Sequence, residues 1–306
     1  MFDIERAKSI FKKYKIKKIV WYPDYPEKVH WTKPFSSADF EAGLRDFYSQ
    51  PTSLLYVHMP YCPTQCLFCN CKTIISLDYK NVENYLSWLY REIKLHLDFC
   101  AKNNLRPNVS EIHLGGGSPT YIREKDFRVY MNNLRALASD NDLKEISVEI
   151  DPRHVKSDEM SFYHSMGINR ISFGIQDFNE EVQVDVDRMQ PDFLVARLLT
   201  PEIRSLFPNG VNFDIMCGLP RQTRESFNDT LDKVIRLSPD RVSLLTMNMT
   251  PETAPHQLKM SIDKIPDALT AKIYLLDAIE KFTSNGYVRT GFDHFAKPED
   301  SVAQAQ

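Results

Sequence analysis

Four of the chain's six cysteines fall within ten residues: Cys62, Cys66, Cys69 and Cys71. Thiolates are soft ligands that suit iron–sulfur clusters or zinc. A cubane cluster normally takes four of them, and the CxxxCxxC spacing of Cys62, Cys66 and Cys69 supplies three. One iron is then left with an open position, where a small chelating molecule can bind. Zinc is the rival reading, with Cys71 as fourth ligand. Zinc ribbons, however, use two separated CxxC knuckles, and no second knuckle occurs here. Cys71 could also join a cluster, but the open iron would then close. Cys100 and Cys217 stand far from this loop, in an expected helix and strand, and read as buried small hydrophobes.

The elements that must position the loop alternate strand and helix. Expected strands cover 54–59, 110–114, 145–150, 170–175, 211–216 and 241–247. Between them, Val82, Tyr85, Leu86, Leu89, Ile93 and Leu97 recur at helical spacing, as do Phe127, Met131, Leu134 and Leu137. Ser157 is a candidate N-cap and Gly167 a candidate stop for a third helix. Phe227, Leu231, Val234 and Ile235 mark a fourth, and a last helix follows Pro266 and ends near Gly286. Such alternation implies βαβ crossovers and a parallel sheet. About six units suggest an incomplete (β/α)6 TIM-like barrel, although a doubly wound open sheet would alternate similarly. In either architecture the site lies at the strand C-termini, where Cys62, Gly115, Asp151, Gln176 and Gly218 fall. Residues 1–50 read as an irregular or helical arm, with Trp21, Tyr22, Tyr25 and Trp31, ahead of a core domain over 51–306.

Bulk properties exclude several functions. With 38 basic and 41 acidic residues the formal charge is −3, so no global attraction to nucleic acid or anionic membranes is expected. No apolar run reaches the roughly 18 residues of a membrane span. The N-terminus lacks a secretory apolar region, and Asp3 and Glu5 turn the basic stretch over 8–18 into a surface helix rather than a transit peptide. The expected setting is cytoplasmic, where clustered thiols stay reduced.

Further motifs stand in order along the chain: YVHMPYC at 56–62, the CxC of Cys69 and Cys71, GGGSPT at 115–120, EIDPR at 149–153, SFGIQDF at 172–178, GLPRQT at 218–223 and DHFA at 293–296. On these residues the chain resembles the radical S-adenosylmethionine superfamily, and within it the oxygen-independent coproporphyrinogen III oxidase family of haem biosynthesis. The resemblance implies a partial (β/α)6 barrel and a [4Fe-4S] cluster on Cys62, Cys66 and Cys69, with one or two molecules of S-adenosylmethionine. It places Tyr56, Phe68, Gly116, Gly117, Ser118 and Glu149 around the cluster and its cofactor, and Gln176, Arg188, Asp214 and Asn248 at a second cofactor. Ser118 keeps the hydroxyl of the family's usual Thr. A sulfonium with a carboxylate needs one acidic and one basic partner, which Asp214 and Arg188 would supply.

The implied reaction is reductive cleavage of S-adenosylmethionine to a 5′-deoxyadenosyl radical, which takes a hydrogen from a propionate. Loss of CO2 and one electron leaves a vinyl group, on the way to protoporphyrinogen IX. Implied partners are coproporphyrinogen III or a related tetrapyrrole and a flavodoxin-type electron donor. No nucleic acid or membrane span is expected, and a monomer is admissible. Departures occur over 19–26, which lacks a family arginine, and at MNMTP over 247–251, which places Asn248 where the family has another residue. The family's C-terminal helical domain is expected to be absent. These departures keep open a truncated or diverged paralogue, either a radical enzyme on another tetrapyrrole-related substrate or a non-catalytic haem- or cluster-binding protein.

Overall fold

Runs of Val, Ile, Leu and Phe broken by Pro, Gly and polar turns form the strands, and the amphipathic stretches between them form the helices. The computed structural model describes residues 3–14, 34–138 and 143–306; the aromatic segment at 21–31 and the departure at 19–26 lie outside them. Two helices come first, α1 (Ile4–Lys13) and α2 (Ser37–Ser49). Then follow β1 (Ser53–Met59), β2 (Tyr61–Cys62), β3 (Ile74–Ile75), α3 (Lys80–Lys102), β4 (Val109–Gly116) and α4 (Glu124–Arg135). The middle comprises β5 (Glu145–Ile150), α5 (Glu159–Ser165), β6 (Arg170–Gln176) and three short helices, α6 (Glu180–Asp185), α7 (Asp192–Ala196) and α8 (Pro201–Ser205). The last part contains β7 (Val211–Cys217), α9 (Arg224–Leu237), β8 (Arg241–Thr246), α10 (Ala268–Ser284), β9 (Val288–Thr290), β10 (His294–Ala296) and α11 (Ser301–Gln304).

The sheet order is β1-β4-β5-β6-β7-β8, all parallel, followed by β10 and β9 in antiparallel pairing. A doubly wound sheet reverses its strand order at a switch point; this one never does. The partial-barrel expectation therefore holds: six βα units advance in one direction and stop short of closure, with β1 and β9 at the ends. The terminal hairpin was not anticipated, because three-residue strands are too short to carry a period-2 pattern.

Side chains alternate cleanly across the strands. Leu114, Val148, Phe173, Phe213 and Leu244 face the helices and join Phe127, Leu134, Phe227 and Phe282 in one large core. The intervening positions are polar: His113 on β4, Ser147 and Glu149 on β5, Ser172 on β6, Asn212 and Asp214 on β7, Ser243 on β8. They line a lumen of about 580 Å³. At its floor, Arg170 donates to Asp300 (3.1 Å) and lies 2.9 Å from Glu145, while Arg241 donates to Asp300 at 2.7 Å. Asp300 also caps α11 through the Val302 N–H.

The arm is anchored where it is described. Ser36 and Asp39 form a capping box on α2. Asn108 donates to the carbonyls of Phe47 and Gln50, and Tyr48 bonds His96. One expected cap differs: α5 begins after Asp158, and the Ser157 hydroxyl donates to the Arg197 carbonyl instead. Gly167 does end that helix region, with φ of +77°. No helix among the described residues is long and apolar enough to cross a membrane.

The floor cluster yields a stability prediction. The side chains of Arg170 and Asp300 are only 5% and 3% exposed, so Asp300→Ala leaves the buried guanidinium with Glu145 as its one carboxylate partner. It should lower unfolding free energy by about 1–3 kcal/mol. Denaturant unfolding of the variant would reveal an unchanged midpoint if the cluster contributes nothing.

Candidate functional site at the carboxyl edge of the sheet

The loop after β1 must return across the ends of β4 and β5, and backbone pairing makes it do so. Pro60 and Cys62 carbonyls accept from Ile74 and Ser76, which closes the cysteine loop at its base. Gly117 N–H donates to the Met59 carbonyl (2.6 Å) and Ser118 N–H to that of Tyr61 (3.0 Å), tying loop and glycine turn together. A Cβ on Gly117 would stand 2.7 Å from the Tyr61 oxygen and 2.9 Å from the Cys62 sulfur, so only glycine admits this approach. Gly116, with φ of +105°, turns its N–H onto Glu149 Oε2 at 3.0 Å.

Cys62, Cys66 and Cys69 are half-buried and Cys71 is exposed. The Ser118 hydroxyl donates to Cys62 Sγ at 3.5 Å. Burial, with the charges of Cys69 and Cys66 adding to it, pushes the Cys62 thiol up to about 11. Cys69 accepts hydrogen bonds from Cys71, which lower its pKa and raise that of Cys71. Two guanidinium N–H groups face Cys66 Sγ, from Arg153 (3.3 Å) and Arg188 (3.2 Å), a setting suited to a sulfur carrying negative charge. Three soft thiols on one loop, with glycines closing against them, fit a cluster.

The remaining expected residues divide into two groups. Glu149 accepts from Gly116 on one oxygen and lies 3.1 Å from His113 Nε2 on the other. The Tyr56 ring stacks on His113, and its hydroxyl, pushed up to about 12 by burial and then by Glu149, meets His58 Nδ1 at 2.9 Å. Phe68 packs behind the loop against Val182, Met216, Met247 and Met260. Together with Gly116, Gly117 and Ser118 these surround the cysteines.

The second group lies further along the sheet, and each member has its own protein partners. Asp214 accepts from Ser172 and Asn212, and burial, then the Glu149 charge, raises its carboxyl. Arg188 turns away from it, donating to Asp151 (3.1 Å) and to the Gly174 carbonyl (2.6 Å). Gln176 sits at a register shift in β6 with φ of +65°, its buried Oε1 without a partner; Arg188 Nε is likewise unpartnered. Strain of that kind at a strand end is typical of ligand sites. Asn248 contributes its carbonyl, which accepts from Asn70 and Gln257.

Several residues that organise this edge stood in the sequence only as strand-end or motif positions, with no role assigned to them. Asp151 binds Arg153 in a fork as well as Arg188. Burial opposes its ionisation, but Arg188 and then Arg153 hold it well below the usual carboxylate range. Asp177 accepts from Thr230 and Gln222, whose Oε1 takes the N–H groups of Gly218 and Leu219. Two motifs, QD and GLPRQT, are thus halves of one buried network that seats the ends of β6 and β7. Their matching motif positions were the available signal.

Two predictions concern these contacts. Gly117→Ala should displace Cys62 and cut iron retained after anaerobic reconstitution severalfold, with the melting temperature of the metal-free chain reporting any general loss; retention equal to the parent's would refute the close-approach argument. Asp151→Asn should cost about 3–5 kcal/mol by leaving Arg188 underpaired. Because the Asp151 pKa is depressed, its contribution is complete above the ordinary carboxylate pKa and fades as pH falls toward the native value. An acid-unfolding limb unchanged by Asp151→Asn would contradict this.

Comparison with known proteins agrees with the geometry. Residues 56–234 match the Radical SAM superfamily. The oxygen-independent coproporphyrinogen III oxidase of Salmonella typhimurium is 36% identical over 285 residues, covering 93% of this chain and 61% of that protein. That of Synechocystis sp. is 35% identical over 306 residues, covering 99% and 64%. The solved Escherichia coli coproporphyrinogen III oxidase, described as a radical SAM enzyme, superposes with a TM-score of 0.87 at 33% identity, covering 100% of this chain and 66% of that one. The chain thus spans less than two thirds of the length of each of these relatives. It belongs to the radical SAM superfamily, whose members use a [4Fe-4S] cluster and S-adenosylmethionine.

Proposed function

Proceeding from that membership, we propose that the chain carries the core of a radical S-adenosylmethionine oxidoreductase acting on coproporphyrinogen III. It converts propionate side chains to vinyl groups, toward protoporphyrinogen IX, in anaerobic haem synthesis. The observation that carries this reading is the meeting of Cys62, Gly117 and Ser118 at adjacent strand ends, with Glu149 on the next strand. Likeness to the three oxidases supports the substrate.

The bound cluster and S-adenosylmethionine supply a carbon radical strong enough to take a hydrogen from an unactivated side chain. The residues of this chain do the rest. Cys62, Cys66 and Cys69 would hold the cluster, and the absence of a fourth thiol from that set would leave room for the chelating cofactor. Gly116 and Gly117 would let it approach the backbone closely, Ser118 supports Cys62, and Glu149 would serve as an acceptor for its donor groups. Tyr56 walls one side, while Phe68 keeps water from the back of the loop. Gln176, Arg188, Asp214 and Asn248 border a second cofactor position, where the unpartnered Gln176 Oε1 is available as an acceptor.

We take 1–50 as an arm and 51–306 as the radical SAM core, with a flavodoxin-type reductant as electron source and the cytoplasm as setting. A monomer suffices for this site. A second reading, a relative acting on another tetrapyrrole-related substrate, is favoured by the departure over 247–251 beside Asn248.

Anaerobic reconstitution should load about four irons with matching sulfide per chain, and Cys66→Ser should abolish loading. The loaded, reduced chain should release 5′-deoxyadenosine and convert coproporphyrinogen III to a tricarboxylic porphyrinogen. Absence of iron would sink the whole reading. Release of 5′-deoxyadenosine without porphyrinogen turnover would move the assignment to the second reading.

A further inference from the structure

The three cysteines are not held in the same way. Cys62 is supported by Ser118, and Cys66 faces Arg153 and Arg188. The backbone around Cys69 is instead held from outside the motif, by the segment between β8 and α10. Gln257 there is fully buried. Its two Nε2 hydrogens are shared among three acceptors, the Phe68 carbonyl (3.1 Å), Asn70 Oδ1 (2.8 Å) and the Asn248 carbonyl (3.0 Å). Its Oε1 accepts from Thr250 N–H at 2.8 Å. The neighbouring His256 donates through Nε2 to the Cys69 carbonyl at 2.8 Å.

Thus residues 68, 69 and 70 each receive a hydrogen bond from 256 or 257. Asn70 extends the link, donating to the Asn248 carbonyl (2.8 Å) and accepting from the Thr250 hydroxyl (2.8 Å). Carbonyls pinned on both sides of Cys69 restrict its backbone dihedrals and so the direction of its sulfur. The same amide holds Asn248, a residue of the second cofactor position. Every polar atom of Gln257 is used inside this junction, so its role is to position and not to touch a ligand.

We propose that Gln257, assisted by His256, is a positioning residue that fixes Cys69 and the 248–250 backbone as one unit, setting the third cluster ligand relative to the second cofactor position. This rests on the cluster reading of the cysteine loop. A buried amide that merely closed a loop would loosen all cysteines together when lost. A positioning residue for Cys69 affects that thiol selectively.

The test uses the full chain in two states. In the metal-free, reduced state, N-ethylmaleimide labelling is followed at each cysteine by peptide mass spectrometry. Gln257→Met keeps the volume but removes the hydrogen bonds. It should accelerate labelling of Cys69 about fivefold, leaving Cys62 and Cys66 within about twofold of the parent. His256→Ala, which leaves the Gln257 junction intact, should accelerate Cys69 in the same selective sense, and it decides the matter if Gln257→Met does not fold. In the iron-loaded state the folded variants should surrender iron to a chelator faster than the parent. Uniform acceleration across the cysteines, no acceleration, or unchanged iron release would each overturn the proposal. A parent chain that takes up no iron would instead sink the cluster reading, and the labelling pattern, which needs no metal, would still judge the positioning of Cys69.

Discussion

Parallel pairing in an order that never reverses places six strand carboxyl ends on one rim, and every feature of the site depends on that constraint. Crossovers carry the chain along the sheet from each strand to the next, so residues distant in sequence arrive as neighbours. Met59, Gly116, Ile150, Gln176, Cys217 and Thr246 all lie at or next to this rim. A loop leaving β1 can therefore meet the glycine turn after β4 and the carboxylate of Glu149 on β5. Once β1 and β4 pair in register, with Met59 opposite Gly116, the approach of Gly117 to Cys62 follows from backbone geometry.

The same alternation that builds the core creates the lumen. Apolar positions point to the helices, so the intervening residues must point inward, and here they are serines, Asn212, Asp214, His113 and Glu149. Burying such groups is costly unless they find partners. Asp214 finds them in Ser172 and Asn212, and Arg170 in Glu145 and Asp300. Among the buried side-chain atoms without a hydrogen-bond partner, Gln176 Oε1 and Arg188 Nε lie at the rim beside the cysteine loop; others, such as Tyr130 Oη and Arg197 Nε, lie elsewhere.

Local patterns were readable wherever they were long. All six parallel strands and their major helices follow from period and punctuation, because a buried face imposes its period directly on the sequence. Short elements were not readable: β9 and β10 have three residues each, and the three short helices after β6 carry no full amphipathic turn pattern. Ser157 illustrates a different failure. A hydroxyl before a helical run can cap it or reach elsewhere, and the carbonyl of Arg197, 40 residues away, won.

Spacing alone determined that Cys62, Cys66 and Cys69 form a three-thiol loop after a strand, since both the ligands and the strand are local in sequence. The resemblance carried by the ordered motifs added Glu149, Gln176, Arg188 and Asp214. Only the tertiary structure decided how these are partnered: Arg188 with Asp151 and not Asp214, Cys66 with two arginines, and the backbone at Cys69 with His256 and Gln257. The physical reason is that a hydrogen bond depends on position to within a fraction of an ångström. Residues almost 190 positions apart reach that position through the packing of the whole sheet, which no short pattern records.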